Sequence, residues 1–156
     1  MNGGRFYKRT IRDVPLKGKT VLVRVDYNVP LREDGTIADD YRIQASLPTI
    51  RALIDESCKI VLISHLGRPD GKVKAEFSLE PAAQRLAELL KTSVRFVDKS
   101  IGPKVAMAVK RAPSHSITML ENLRFHPEEE ADDMEFAQKL AKDSGADYFV
   151  QDGFGV

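Results

Sequence analysis

Tryptophan is absent from this 156-residue chain, cysteine occurs once, and neither sign of charge prevails, the formal net charge being +1. Each shortage removes a class of function. A lone cysteine, Cys58, cannot close an internal disulfide and reads as a reduced thiol, which fits a reducing cytosol and a cytoplasmic location. A nearly neutral chain gives no bulk reason to expect nucleic acid or an anionic membrane, so any basic function must come from local clustering. No aliphatic run approaches the roughly 20 residues needed to span a bilayer, and the opening MNGGRFYKRT has no apolar core of signal-peptide length. A soluble, unprocessed protein is expected. The usual catalytic fingerprints are missing too: there is no G-x-G-x-x-G after the first strand, no G-x-S-x-G elbow, and no histidine spacing suited to zinc. GRPDGKV, from Gly67, resembles a phosphate-binding loop, but it is one residue short and has Val73 where the magnesium-binding hydroxyl belongs.

What the chain does have is short aliphatic, β-branched runs: KTVLVRV from Lys19, KIVLIS from Lys59, VRFV from Val94, SITML from Ser116 and DYFV from Asp147. These read as strands, and their apolarity on both faces implies a sheet covered on each side. Helical spacing fills the intervals. Leu47, Ile50, Leu53 and Ile54 mark one helix, which Pro48 should kink or delay. Ser78 is placed to cap a second, with Leu79, Ala82, Ala83, Leu86, Leu89 and Leu90 recurring along it. Ile101, Val105, Ala108 and Val109 mark a shorter third, and Met134, Phe136, Ala137, Leu140 and Ala141 a fourth that Gly145 should end. Strand and helix alternate with no internal repeat or low-complexity linker. That order predicts a single α/β domain, a doubly wound, Rossmann-like parallel sheet with helices on both faces and right-handed crossovers.

Such sheets bind ligands beyond the carboxyl ends of their strands. This sequence places Asp26 and Asn28 after the first strand, His65 and Arg68 after the second, Asn122, Arg124 and His126 after the fourth, and Asp152 after the fifth. Singly, each has an ordinary reading. Asp26 and Asn28 are good turn residues, the histidines suit hydrogen-bonded loops, and the arginines can pair with nearby acids. The acidic run Glu128 to Glu130, with Asp132 and Asp133, reads as a cap and solvated face for the next helix rather than a metal site. Together the two histidines and two arginines at the strand ends read as a local anion site on a chain that is otherwise nearly neutral. Arginine suits phosphate because its planar fork donates two parallel charge-assisted hydrogen bonds. Arg42 is a sharper anomaly. Following Asp39 and Asp40, it falls in the first turn of a helix, where a cation opposes the macrodipole. It is either an exposed partner of those aspartates or a residue kept there for function.

Read in order, VRVDYNVPL, DDYRIQASLPTI, VLISHLGRPDG and MLENLRFHPEEE resemble phosphoglycerate kinase, over nearly the whole chain. The resemblance implies that residues 1–156 form the amino-terminal domain, which binds 3-phosphoglycerate or 1,3-bisphosphoglycerate. It implies the reversible phosphoryl transfer of glycolysis and gluconeogenesis between 1,3-bisphosphoglycerate and ADP. Magnesium ADP or ATP would be bound by a carboxyl-terminal domain absent from this chain, which itself would bind neither nucleotide nor metal. By the same resemblance Asp26 and Asn28 hold the hydroxyl and carboxyl end of the substrate, while His65, Arg68 and Arg124 form much of the basic patch around its 3-phosphate. Arg42 matches the catalytic arginine that reaches the transferred phosphoryl group. His126, Asn122 and Asp152 are neighbours rather than ligands. The chain departs from the family pattern at VQDGFGV, where VNDAFG is usual, and it stops before the family's next phosphate-contacting histidine and arginine. The fragment is therefore expected not to turn over alone, and the full-length family to be monomeric. A non-catalytic phosphate-ligand or partner-binding α/β module is the alternative.

Overall fold

Alternate residues of the first strand go to opposite faces, and both faces are apolar. In β1 (Thr20–Val25), Val21, Val23 and Val25 join one core cluster and Leu22 joins another. The same split recurs in β2 (Lys59–Ile63), where Ile60 and Leu62 oppose Val61 and Ile63. A strand buried on both sides needs helices on both sides. The computed structural model describes residues 9–153. The opening residues, read above as lacking a signal-peptide core, lie largely outside that range, as do Phe154 to Val156.

Five strands form one sheet in the order β3-β4-β2-β1-β5, and every neighbouring pair is parallel. Here β3 is Arg95–Val97, β4 is Ile117–Leu120 and β5 is Tyr148–Asp152. On one face lie α1 (Tyr41–Asp55) and α2 (Glu80–Leu90). Ile43, Leu47, Ile50 and Leu53 of α1 and Ala82, Ala83 and Leu86 of α2 pack against Val23, Leu62 and Met119. On the other face lie α3 (Pro103–Arg111) and α5 (Met134–Ser144), with Val105, Val109, Phe136 and Leu140 against Leu22, Val61 and Leu120. Each fully buried leucine or isoleucine contributes about 1.5–3 kcal/mol. The doubly wound α/β arrangement read from the sequence is the observed one. Among the described residues, no helix is long and apolar enough to cross a membrane.

Four local expectations change. Pro48 does not delay its helix, because α1 begins at Tyr41 and runs through it. Pro48 is exposed, so the carbonyl of Gln44 that loses its amide partner faces water, and the interruption is tolerated. Ser78 is not the residue immediately before α2. The cap position is Leu79, whose amide donates to Glu121 Oε1 at 2.9 Å, while the Ser78 hydroxyl donates to Glu121 Oε2 at 2.7 Å. A buried carboxylate from the end of β4 thus meets the positive end of α2. Ile101 lies outside α3, which Gly102 and Pro103 start, and packs partly buried against the second cluster. The acidic run divides. Asp133 caps α5 by accepting from the Phe136 amide at 2.9 Å, whereas Glu128 to Glu130 lie in a short helix of their own, α4 (Pro127–Glu130). Gly145 ends α5 with φ of 61°, as its position predicts.

Candidate anion-binding rim

Parallel pairing brings the loops after β1, β2 and β4 to one edge, and hydrogen bonds between them fix their spacing. Asn28 Oδ1 accepts from the Gly67 amide at 2.8 Å, joining the first loop to the second. Between Asp26 and Asn28, the Tyr27 amide donates to Ser64 Oγ at 2.9 Å. The fully buried Tyr27 ring carries its hydroxyl to Ser46 Oγ, 2.6 Å away on α1. Ser46 already donates its proton to the Ile43 carbonyl at 2.7 Å, so Tyr27 is the donor of the pair. Burial pushes the Tyr27 hydroxyl well above the usual tyrosine range, so it keeps that proton.

This anchor matters because Arg42 stands one turn before Ser46 on α1. Arg42 Nη1 donates to Asp26 Oδ1 at 3.0 Å and to the Asn28 carbonyl at 3.1 Å. The arginine is not paired with Asp39 or Asp40: Asp39 accepts from the Tyr41 amide at 2.8 Å, and Asp40 from Gln44 and Arg85. Its side chain is 44% exposed, against 14% for Asp26. The guanidinium therefore rests on the loop with its outer edge toward solvent.

A second group forms where β4 ends. Arg124 Nε donates to Glu129 Oε2 at 3.2 Å, and Glu130 lies 3.5 Å away. Arg24, near the end of β1, donates from Nη2 to the other oxygen of Glu129 at 2.8 Å. His65 is half-buried beside this group. Burial, and then the neighbouring Arg124, hold the imidazole below its ordinary pKa despite the opposing Glu129, so it is neutral at pH 7. Glu129 is held below the usual carboxylate range by Arg24 and Arg124, against the opposing effect of burial.

The structure thus gathers Asp26, Asn28 and Arg42 into one hydrogen-bonded group and sets His65 and Arg124 in another close by. The charges of Arg24 and Asp26 also bear on the imidazole, in opposite directions and more weakly than burial and Arg124. Arg68 is exposed on its loop and makes no ion pair with any described residue. Of the neighbours, Asn122 is a structural clip: buried, it donates to the carbonyls of Leu66 and Phe77 and accepts from the amides of Leu66 and Arg124. His126 turns toward the core, its ring centroid 5.0 Å from that of Phe136. Asp152 Oδ1 accepts from Thr49 Oγ1 at 3.0 Å, while its buried Oδ2 has no partner among the described residues. Sequence reasoning missed Arg24 and the inward role of Glu129. The available signal was a single charge inside the apolar run TVLVRV.

A doubly wound α/β domain with arginines and a half-buried imidazole at its strand ends belongs to the class of folds whose ligand sites lie at the carboxyl edge of the sheet. A family model described as phosphoglycerate kinase matches residues 11–156. The phosphoglycerate kinase of Desulforapulum autotrophicum is 52% identical over 148 residues, covering 95% of this chain and 37% of the relative. That of Elusimicrobium minutum is 50% identical, with 95% and 36% covered. Among solved structures, phosphoglycerate kinase from Pyrococcus horikoshii superposes with a TM-score of 0.81 at 36% identity, over 92% of this chain and 36% of that one. The chain belongs to the phosphoglycerate kinase family. It spans about 37% of the length of the curated relatives it matches.

Proposed function

We propose that residues 1–156 are the amino-terminal, acid-substrate-binding domain of a phosphoglycerate kinase, taking 3-phosphoglycerate or 1,3-bisphosphoglycerate at the rim. The observation that carries this reading is the placement of Arg42 Nη1, 3.0 Å from Asp26 Oδ1 and 3.1 Å from the Asn28 carbonyl, beside a second arginine-bearing group around His65 and Arg124. A ligand with a carboxyl group at one end and a phosphate at the other needs two such groups side by side. Asp26 and Asn28 hold the hydroxyl and carboxyl end. His65, Arg68 and Arg124 take the 3-phosphate, and Arg42 reaches the phosphoryl group in transfer.

The chemistry asks for no general base. In the direction that forms 1,3-bisphosphoglycerate, the nucleophile is the substrate carboxylate, already ionised near pH 7. What remains is to hold two anions in line and to neutralise charge on the phosphoryl group in flight. Arg42 suits that task, because Asp26 and Asn28 engage only its Nη1 and leave its other N–H groups to the ligand. The donor or acceptor nucleotide, ADP or ATP with magnesium, needs a site of its own. The described residues include no group of three His, Cys, Asp or Glu side chains suited to a metal ion, and GRPDGKV lacks the hydroxyl that would hold one. No step is therefore assigned to magnesium on this chain. The 156 residues bind the acid substrate and turn over only with a nucleotide-binding partner domain, in a cytoplasmic, monomeric whole.

Calorimetric titration with 3-phosphoglycerate tests the binding. Salt-sensitive heat that Arg68→Ala weakens is expected, by the ~1.5–3 kcal/mol of a charge-assisted hydrogen bond. No heat at millimolar ligand would sink the proposal. Substrate-dependent ATP consumption by the pure chain, abolished by Arg42→Ala, would refute the claim that it needs a partner domain. Activity that appears only on mixing with a separately expressed nucleotide-binding half would support it.

A further inference from the structure

Arg24 comes to the rim from the end of β1 and Arg124 from the turn after β4, and β2, which His65 follows, lies between those strands. Two guanidiniums converging on one edge repel each other, and their long side chains have many rotamers. One carboxylate resolves both difficulties. Glu129 Oε1 accepts from Arg24 Nη2 at 2.8 Å, and Oε2 accepts from Arg124 Nε at 3.2 Å. Each oxygen takes a single nitrogen, and no described residue accepts from the other N–H groups of either arginine.

Such a carboxylate could occupy the place of an incoming anion, or it could hold the arginines ready for one. The two arrangements differ in depth. An occupant of the anion's place would lie outermost, whereas Glu129 is the most buried of the three, its side chain 10% exposed against 24% for Arg24 and 25% for Arg124. Glu129 is thus the most deeply placed of the three, while Glu130, 3.5 Å from Arg124 Nε, is 58% exposed and stands at the outside of the group. From this juxtaposition we infer that Glu129 is a positioning residue. It orients Arg24 and Arg124 at the rim and leaves their unpaired N–H groups for the phosphate of the ligand. The inference rests on the acid-substrate reading above and goes beyond it by naming the group that aims the phosphate-binding arginines.

Electrostatics and orientation predict opposite signs, which makes the test decisive. Removing a negative charge beside an anion site tightens binding if charge alone matters, and loosens it if the arginines need a brace. The unaltered chain, Glu129→Gln and Glu129→Asp are titrated with 3-phosphoglycerate and with inorganic phosphate, well below the melting temperature of each. Glu129→Gln keeps the shape but not the charge, and Glu129→Asp keeps the charge but not the reach. Both variants are expected to weaken both ligands about tenfold, the scale of one charge-assisted hydrogen bond. The aspartate variant keeps the proposal falsifiable should the glutamine variant fold poorly. Equal or tighter binding by either folded variant overturns the inference while leaving the anion site standing. Absence of binding by the unaltered chain overturns the anion-site reading, and this inference with it.

Discussion

Replacing Gly67 by alanine should destabilise the domain by more than its backbone conformation alone explains. Gly67 has φ of +63°, a left-handed conformation that costs an L-residue about 1–2 kcal/mol. Reduced freedom of the unfolded chain offsets about 0.4–1 kcal/mol of that. Gly18, with φ of +70°, bears the same penalty, but a β-carbon there meets nothing within 4 Å. At Gly67 the new β-carbon would lie 2.6 Å from two ring carbons of Phe77. The half-buried Phe77 ring must give way, and such overpacking typically adds about 1–3 kcal/mol. Gly18→Ala is thus expected to cost ~1 kcal/mol and Gly67→Ala ~2–4 kcal/mol in urea melts followed by circular dichroism. A double-mutant cycle isolates the clash: in a Phe77→Ala background, Gly67→Ala should cost only what Gly18→Ala costs. Equal losses at the two glycines, or no relief from Phe77→Ala, would refute the steric account. The amide of Gly67 also holds Asn28, so the same variant should weaken 3-phosphoglycerate binding where Gly18→Ala does not.

Asn122→Ala removes two donors and an acceptor that satisfy buried backbone groups of Leu66 and Phe77 and the amide of Arg124. At about 1–3 kcal/mol for each group left unpaired, it should cost at least ~3 kcal/mol of unfolding free energy, and a loss below 1 kcal/mol would count against the clip. Tyr27→Phe deletes the bond to Ser46 without opening a cavity, so a loss of ~1 kcal/mol is expected in the same melt; no change would mean that the hydroxyl is not an anchor. Asp152 behaves oppositely to a paired acid. Burial raises its carboxyl above the ordinary value, so the folded state holds the proton longer than the unfolded one, and stability falls as pH rises from the unfolded to the folded pKa. Asp152→Asn should therefore raise the urea midpoint at pH 7, with the gain fading near about pH 4, where the unfolded carboxyl also takes up its proton. A gain that persists unchanged into acid would contradict that linkage.

The sheet was legible because its strands are buried on both faces, which leaves a run such as TVLVRV almost wholly apolar, and because a stripe such as Ile43, Leu47, Ile50 and Leu53 fits helical spacing. The ends of the helices were less so. Glu121 supplies the acceptors at the start of α2 from far along the chain, and no local signal at Ser78 announces a competitor. Pro48 interrupts the bonding of a helix interior, and the sequence does not show that it stands on the exposed face, where water can serve the freed carbonyl. At the rim, the loop positions of Asp26, Asn28, His65 and Arg124 followed from strand order alone. Arg24 did not, because it lies inside a strand, and its partner Glu129 lies in an acid run that resembles ordinary helix solvation. Their pairing spans 105 residues of sequence. The reaction itself was never legible in the pattern, since the rim identifies an anion but not which anion, and only family resemblance named the substrate.

Beneath the rim the polar groups are fully engaged, and on top of it the arginines keep N–H groups without a described partner. Asn122 clips the second loop to the fourth and Tyr27 ties the first to α1, each through a fully buried side chain, and the half-buried Asn28 joins the first loop to the second. These bonds lie in low-dielectric surroundings, where losing one partner is costly, so they hold the loops in a single arrangement. Arg42 and Arg68 are different: Arg42 is 44% exposed, with one nitrogen engaged, and Arg68 is exposed without an ion pair among the described residues. An exposed ion pair such as Arg42–Asp26 is worth only about 0–1 kcal/mol. The guanidiniums aimed outward therefore contribute little to folding, and a ligand can recruit them without disturbing what keeps the loops in place. Arg42→Ala should accordingly leave the urea midpoint almost unchanged while binding of 3-phosphoglycerate falls. A large loss of stability in that variant would mean that Arg42 is part of the scaffold and not of the site.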